Sequence, residues 1–303
     1  MNILVSGSTG LVGTALIPIL TGAGHEVVRL VRSKARNPSK ELIGWDPAAK
    51  SIDAAGLDGL DAIVHLAGEP IAAGRWTAAR KARIRDSRVQ GTQLLCDALA
   101  HVARPPATLV CASAIGFYGD RGDEALTEAS AAGSNFLADV CREWEAACDP
   151  ARKKGIRVVN LRFGVILSPR GGALAKMLTP FKLGAGGVLG SGRQYMSCIA
   201  IDDCVGAILH SLSNTSVAGP LNVVGPEPVT NRVFTKTLGK VLGRPTIFPM
   251  PAFAARLAFG EMADALLLSS SRVEPQKLSK TGFQFQCSTL ESALRHVLGR
   301  ASR

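Results

Sequence analysis

Seven residues near the amino terminus constrain this chain more than any other feature. Gly7-Ser8-Thr9-Gly10-Leu11-Val12-Gly13 follows the aliphatic run Ile3-Leu4-Val5 and opens an apolar, helix-like stretch. Glycines at this spacing between a strand and a helix let backbone amides approach a pyrophosphate at the helix N-terminus. In an isolated match the same glycines make only a tight turn. The strand-loop-helix context favours the phosphate loop, with Gly7, Thr9, Gly10, Leu11, Val12 and Gly13 against a dinucleotide. Pro18 falls inside the expected helix and removes a hydrogen bond there, so a late start or a bend is expected.

The first half of the chain alternates short aliphatic strands with helical stretches, the mark of βαβ units around a parallel sheet. The runs Ile3–Ser6, Glu26–Val31, Ala62–Leu66, Thr108–Ala112 and Arg157–Arg162 read as buried strands. Ala78–Ala103 reads as a helix, its Ile84, Leu94, Leu95 and Leu99 fitting a period near 3.6. The fold class is therefore α/β, with βαβ units wound around a parallel sheet. After Leu167, Ser168-Pro169-Arg170-Gly171-Gly172 and five glycines between Gly184 and Gly192 signal excursions from the sheet, which Leu221–Val224 rejoins. Residues 1–166 and 200–225 are assigned to a nucleotide-binding domain, and 167–199 with 226–303 to a smaller C-terminal substrate domain or cap.

At 303 residues with 47% hydrophobic and 19% charged content, the chain has ample material for a large core. No run of about 18 apolar residues occurs, since Pro251–Leu268 contains Arg256, Glu261 and Asp264, and no membrane partner is expected. The amino terminus lacks the charged and long apolar segments of a signal peptide, which makes the cytoplasm the expected compartment. Seven scattered cysteines without a Cys-x-x-Cys pair point to free thiols, and neither they nor the five histidines have metal-ligand spacing. His65, inside a strand, reads as a hydrogen-bonded core residue.

The net charge of +11 attracts phosphorylated small molecules or nucleic acid, and its sign alone does not choose between them. With 5% aromatic residues and no nucleic-acid motif, nucleic acid is the less expected partner. About 20 residues past the loop, an NAD site places an acid on the ribose hydroxyls. This chain has Arg32 there, within a basic run that includes Arg29, Lys34 and Arg36. A guanidinium holds a 2′-phosphate through charge-assisted hydrogen bonds, which favours NADP(H). The alternative is a solvated basic loop.

The sequence resembles the extended short-chain dehydrogenase/reductases, and within them the atypical epimerase family proteins, which are NAD-dependent epimerase/dehydratase-like with a C-terminal domain of unknown function. The likeness spans nearly the whole chain. It rests on the Gly7/Gly10/Gly13 loop, His65-Leu66-Ala67-Gly68-Glu69, Arg75-Trp76, Ser87-Arg88, Ser113-Ala114-Ile115-Gly116-Phe117-Tyr118-Gly119, Gly171-Gly172-Ala173 and Gly190-Ser191-Gly192-Arg193-Gln194. It implies a doubly wound (Rossmann) parallel sheet that binds NADP(H), with a smaller C-terminal substrate domain and with Val31, Arg32, Leu66, Ala67, Gly68, Arg88 and Ile166 beside the cofactor.

Reductases of this superfamily transfer a proton through a Tyr-x-x-x-Lys pair on one helical face. The two tyrosines here, Tyr118 and Tyr195, are followed four residues later by Gly122 and Ile199, so the pair is absent. Aligning Glu145 with the family's usual acid puts Leu137 at the tyrosine and Cys141 at the lysine. The family usually has Trp at Cys198 and His at Ala200, so substrate specificity is expected to differ.

The remaining catalytic candidates are four. Ser113 corresponds to the superfamily's active-site serine, with a strand-end cap as the alternative. Glu69 is a desolvated acid or base, or else pairs with Arg88 or Arg75. Cys141 is a thiol acid/base or, as cysteines on helices usually are, buried filler. Tyr118 is a proton donor from a neighbouring loop. Of the cations Arg75, Arg80, Lys81, Arg83, Arg85 and Arg88, most are expected to face solvent and Arg88 to reach the cofactor. One of Asp202 and Asp203 is expected to cap a helix.

The function expected is an NADP(H)-binding oxidoreductase or nucleotide-sugar-type epimerase acting on a small polar substrate, phosphorylated or nucleotide-linked. The alternative is a catalytically silent NADP(H)-binding regulatory or interaction protein.

Overall fold

The computed structural model describes residues 1–32 and 41–300. Fourteen strands run β1 Asn2–Ser6, β2 Glu26–Arg32, β3 Leu42–Asp46, β4 Ser51–Ile52, β5 Ala62–His65, β6 Thr108–Ala114, β7 Ala125–Leu126, β8 Arg157–Phe163, β9 Val165–Leu167, β10 Tyr195–Met196, β11 Cys198–Ala200, β12 Gly219–Val223, β13 Val229–Thr230 and β14 Arg272–Val273. The helices are α1 Leu11–Gly22, α2 Ala78–His101, α3 Phe136–Ala146, α4 Asp149–Lys153, α5 Gly172–Lys182, α6 Ile201–Ser213, α7 Asn231–Leu242, α8 Ala252–Phe259, α9 Gln276–Lys280 and α10 Leu290–Val297.

Eight strands form the main sheet in the order β12-β8-β6-β5-β1-β2-β3-β4, parallel throughout except for the β3–β4 hairpin at one edge. Alternation along β1 shows how the sheet is buried on both sides. Leu4 enters a cluster with Leu95, Leu99 and Trp144 from α2 and α3, while Ile3 and Val5 enter one with Leu16 and Leu20 from α1 and Ile208 from α6. Strands covered on both faces have no polar side to present, which is why they read as continuous aliphatic runs. A third cluster joins Leu174 and Leu178 of α5, Phe234 and Leu238 of α7, and Leu290 and Leu294 of α10.

The order of strands reverses at β1, which pairs with β2 on one side and β5 on the other. The crevice above such a reversal is where doubly wound sheets bind ligands. Helix α1 starts at Leu11, immediately after the loop, and carries Pro18 inside it. The expected late start does not occur: Pro18 and Thr14, whose carbonyl loses its N–H partner to the proline, are both exposed residues.

Candidate active site

Gly7 takes φ +65°, and a Cβ on it would lie 2.7 Å from the Leu66 carbonyl carbon. A Cβ on Gly13 would collide with the Gly7 carbonyl oxygen and stand 2.8 Å from Ser8 Cα. The loop thus packs backbone to backbone, with Gly10 N donating to Gly7 O at 2.9 Å. At the start of α1 the amides of Leu11, Val12 and Gly13 have no intrahelical acceptor, no side chain caps the helix, and its first turn holds no acid. Uncapped donors with the positive end of a helix dipole fit a bound pyrophosphate.

Opposite this loop, Ser6 ties β1 to the turn after β5. Its Oγ accepts from Leu66 N at 3.0 Å and Ala67 N at 3.2 Å and lies 2.7 Å from His65 Nδ1. Gly68 and Arg88 adjoin, a Cβ on Gly68 falling 3.4 Å from Arg88 Cζ. The Arg88 guanidinium lies 5.1 Å from the Trp144 ring and donates to Ile84 O at 3.0 Å, with no acid paired to it among the described residues. Burial pulls its pKa below the usual arginine value. Val31 and the exposed Arg32 end β2, and half-buried Ile166 lies on β9. Lys34 and Arg36 lie outside the described residues.

Ser113, on β6 and 2% exposed, does not cap the strand. Its hydroxyl donates to Glu145 Oε1 at 2.7 Å. Glu145 also accepts two bonds from Arg162, Nε to Oε1 and Nη2 to Oε2, each 2.8 Å. Arg162 extends the network, donating from Nη1 to the Tyr118 hydroxyl at 2.9 Å and stacking 3.5 Å from the Phe117 ring centre. Tyr118 in turn donates to Asn222 Oδ1 at 2.6 Å. Sequence reasoning missed the Arg162–Glu145 pair, although an arginine inside the aliphatic run Arg157–Phe163 was the available signal.

The other candidates are placed differently from expectation. Glu69 pairs with neither Arg88 nor Arg75: Arg80 Nη1 lies 2.7 Å from its Oε1 and Nη2 donates to Pro70 O. Arg80 is therefore buried and not on the solvated face of α2. Cys141 is buried on α3, and loss of solvation pushes its thiol up to about 12. Tyr118 is fully buried, and burial raises its pKa, which takes it out of the set of accessible proton donors. Neither Asp202 nor Asp203 caps α6, whose N-cap is Ala200. Asp203 instead accepts from Gln286 N and Cys287 N, and Asp202 bonds His296. Cys198 and Ala200 line a small, partly open recess of about 20 Å³ beside the start of α10, room for about one water.

No group of three or more His, Cys, Asp or Glu among the described residues is arranged to hold a metal. No helix there is long and apolar enough to cross a membrane.

A parallel sheet with a glycine-bound helix start at its strand reversal defines an NAD(P)-binding Rossmann protein of the short-chain dehydrogenase/reductase kind. The chain belongs to the NAD dependent epimerase/dehydratase family, whose model matches residues 3–225; a domain of unknown function matches 250–297. It is 43% identical over 298 residues to an epimerase family protein of Mycobacterium bovis, covering 98% of both chains. To human epimerase family protein SDR39U1 it is 37% identical over 303 residues, covering 98% of this chain and 100% of the other. The crystal structure of human SDR39U1 (isoform 2) with NADPH superposes with a TM-score of 0.89 at 35% identity, covering 99% of this chain and 100% of that one.

Proposed function

We propose that the chain binds NADP(H) in the crevice between the Gly7–Gly13 loop and the Leu66–Gly68 turn, and acts there as an oxidoreductase or epimerase-type enzyme. The observation that carries this reading is the uncapped start of α1 over a loop in which neither Gly7 nor Gly13 has room for a Cβ. The NADPH named with the human relative supports it. Leu11, Val12 and Gly13 would hold the pyrophosphate, Arg32 the 2′-phosphate, and Val31, Leu66, Ala67, Gly68, Arg88 and Ile166 the remainder. The bound nicotinamide supplies hydride transfer. The segments 167–199 and 226–303 act as the substrate cap, and the cytoplasm remains the expected compartment.

At the reacting end we assign Ser113. Its hydrogen is committed to Glu145, so its lone pairs are what it offers a substrate, which suits an incoming hydroxyl better than a carbonyl. Arg162 fixes both oxygens of Glu145 and keeps that orientation. The substrate class is small and polar, phosphorylated or nucleotide-linked, drawn by the cationic field.

A second reading, NADP(H) binding without turnover, is favoured by the state of the candidates: Ser113 is bonded and buried, Glu69 is paired, and Cys141 and Tyr118 are enclosed. Following reduced-nicotinamide absorbance over a panel of sugar nucleotides and small alcohols separates the two. Turnover abolished in Ser113→Ala with NADPH binding intact supports the enzyme. No turnover on any substrate, with tight NADPH binding, supports the binding protein.

A further inference from the structure

The C-terminal part of the chain carries an apolar face that nothing in the structure covers. Phe253 and Leu257 stand four residues apart on one side of α8. With Ile247, Phe248 and Leu183 they are all between 62% and 79% exposed. Backbone contacts gather them. Met250 N donates to Val188 O and Gly190 N to Met250 O, each at 2.9 Å, and a Cβ on Gly184, next to Leu183, would lie 4.0 Å from Pro245. Large apolar residues exposed as a group mark an interaction surface.

The charge along this face is mostly positive, and the two acids that follow α8, Glu261 and Asp264, are each held in an ion pair. Residues 167–201 and 228–260 hold nine lysines and arginines and no aspartate or glutamate. Lys182 precedes Leu183, Arg244 precedes Pro245, and Lys236 Nζ donates to Thr246 O at 3.1 Å and Oγ1 at 3.0 Å, beside Ile247. None of these three cations forms an ion pair among the described residues, whereas Arg256 is neutralised by Asp264. A second copy of the chain would set like charge against like.

We infer that this face docks on an anionic lipid surface. Phe248, Phe253 and Leu257 enter the boundary between headgroups and acyl chains, and Lys182, Lys236 and Arg244 meet the phosphates. Since no helix among the described residues is long and apolar enough to span a bilayer, the association is peripheral, and it revises the expectation of no membrane partner, which rested on spans alone. Arg75 donates to Leu257 O, and Lys81 pairs with Glu261 at 2.8 Å, so the docking segment is also tied to the region following Glu69.

The test is flotation of the full chain with vesicles of phosphatidylcholine alone and of phosphatidylcholine mixed with phosphatidylglycerol. Binding to the mixed vesicles only is expected, weakening as salt is raised. The double variant Phe253→Ser/Leu257→Ser, and separately Lys182→Glu/Arg244→Glu, should each bind about tenfold more weakly or worse. All four positions lie outside the coenzyme crevice, so unchanged NADPH affinity verifies that the variants are folded. Absence of binding to the mixed vesicles overturns the inference, as does equal binding to both kinds. A dimer seen in sedimentation velocity and dissolved by Phe253→Ser/Leu257→Ser, without vesicle binding, overturns it in favour of a second copy.

Discussion

Ser6 Oγ and His65 Nδ1 lie 2.7 Å apart, joining β1 to β5 at the point where the sheet reverses. Because Ser6 Oγ accepts the Leu66 and Ala67 amides, its own hydrogen goes to Nδ1, which places the imidazole hydrogen on Nε2. Nε2 has no hydrogen-bond partner among the described residues, and the nearby Trp45 ring stands edge to face with the imidazole at 5.7 Å. A proton on Nδ1 would face the hydroxyl hydrogen, so the fold holds His65 neutral.

Burial brings the His65 pKa down from 6.5 to about 4. The unfolded chain therefore takes up a proton that the folded chain refuses, and stability falls as pH drops from 6.5 towards 4. The full loss is about 3 kcal/mol. Urea midpoints measured across that window should fall in the wild type, and the slope should flatten in His65→Asn, whatever that variant's stability at neutral pH. An equal slope in the two would show that His65 is not the group responsible.

Arg162 and Glu145 form a buried bidentate pair. Removing one partner leaves the other charge uncompensated, so Glu145→Ala or Arg162→Ala should destabilise by about 3–5 kcal/mol in urea unfolding. The apolar double variant Glu145→Leu/Arg162→Met should recover part of that loss. Arg162→Lys, which lacks the planar fork, should not restore wild-type stability.

Gly13→Ala puts a methyl into the Gly7 carbonyl and Ser8. The start of α1 must then move away from the loop, at about 1–3 kcal/mol. NADPH fluorescence titration should show affinity reduced more than tenfold. Wild-type affinity in this variant would mean that the loop does not set the coenzyme site.

All seven cysteines are free and buried, and burial pushes Cys141 up to about 12. Native protein should therefore react with a thiol-specific dye only slowly, on the timescale of unfolding. A rapid single-site reaction lost in Cys141→Ala would contradict this placement and return Cys141 to the set of chemical groups.

The strands facing helices on both sides were legible, because double burial leaves aliphatic runs such as Ile3-Leu4-Val5 with no polar side. Their ends were read to within about two residues, β12 starting at Gly219 where the run at Leu221 was recognised. Strand β3 was not read at all: Gly44 and Asp46 interrupt its apolar pattern, and pairing with β2 organises it. The glycine loop was legible because its signal is local. The partners of charged groups were not, since Glu69 meets Arg80 across a loop and a helix turn, and Glu145 meets Arg162 from a different element. Asp203 looked like a helix cap because it lies at a helix start, but its acceptors serve amides 83 and 84 residues away in sequence.

Calorimetric titration of the wild type and Arg32→Ala with NADPH and with NADH reads out whether the crevice holds the coenzyme and whether Arg32 holds its 2′-phosphate. The wild type should prefer NADPH by at least about tenfold, and Arg32→Ala should lose most of that preference while binding NADH as before. Failure of the wild type to bind either nucleotide would show that the crevice is not a coenzyme site, and equal affinity for both with no change in Arg32→Ala would show that Arg32 does not hold a 2′-phosphate.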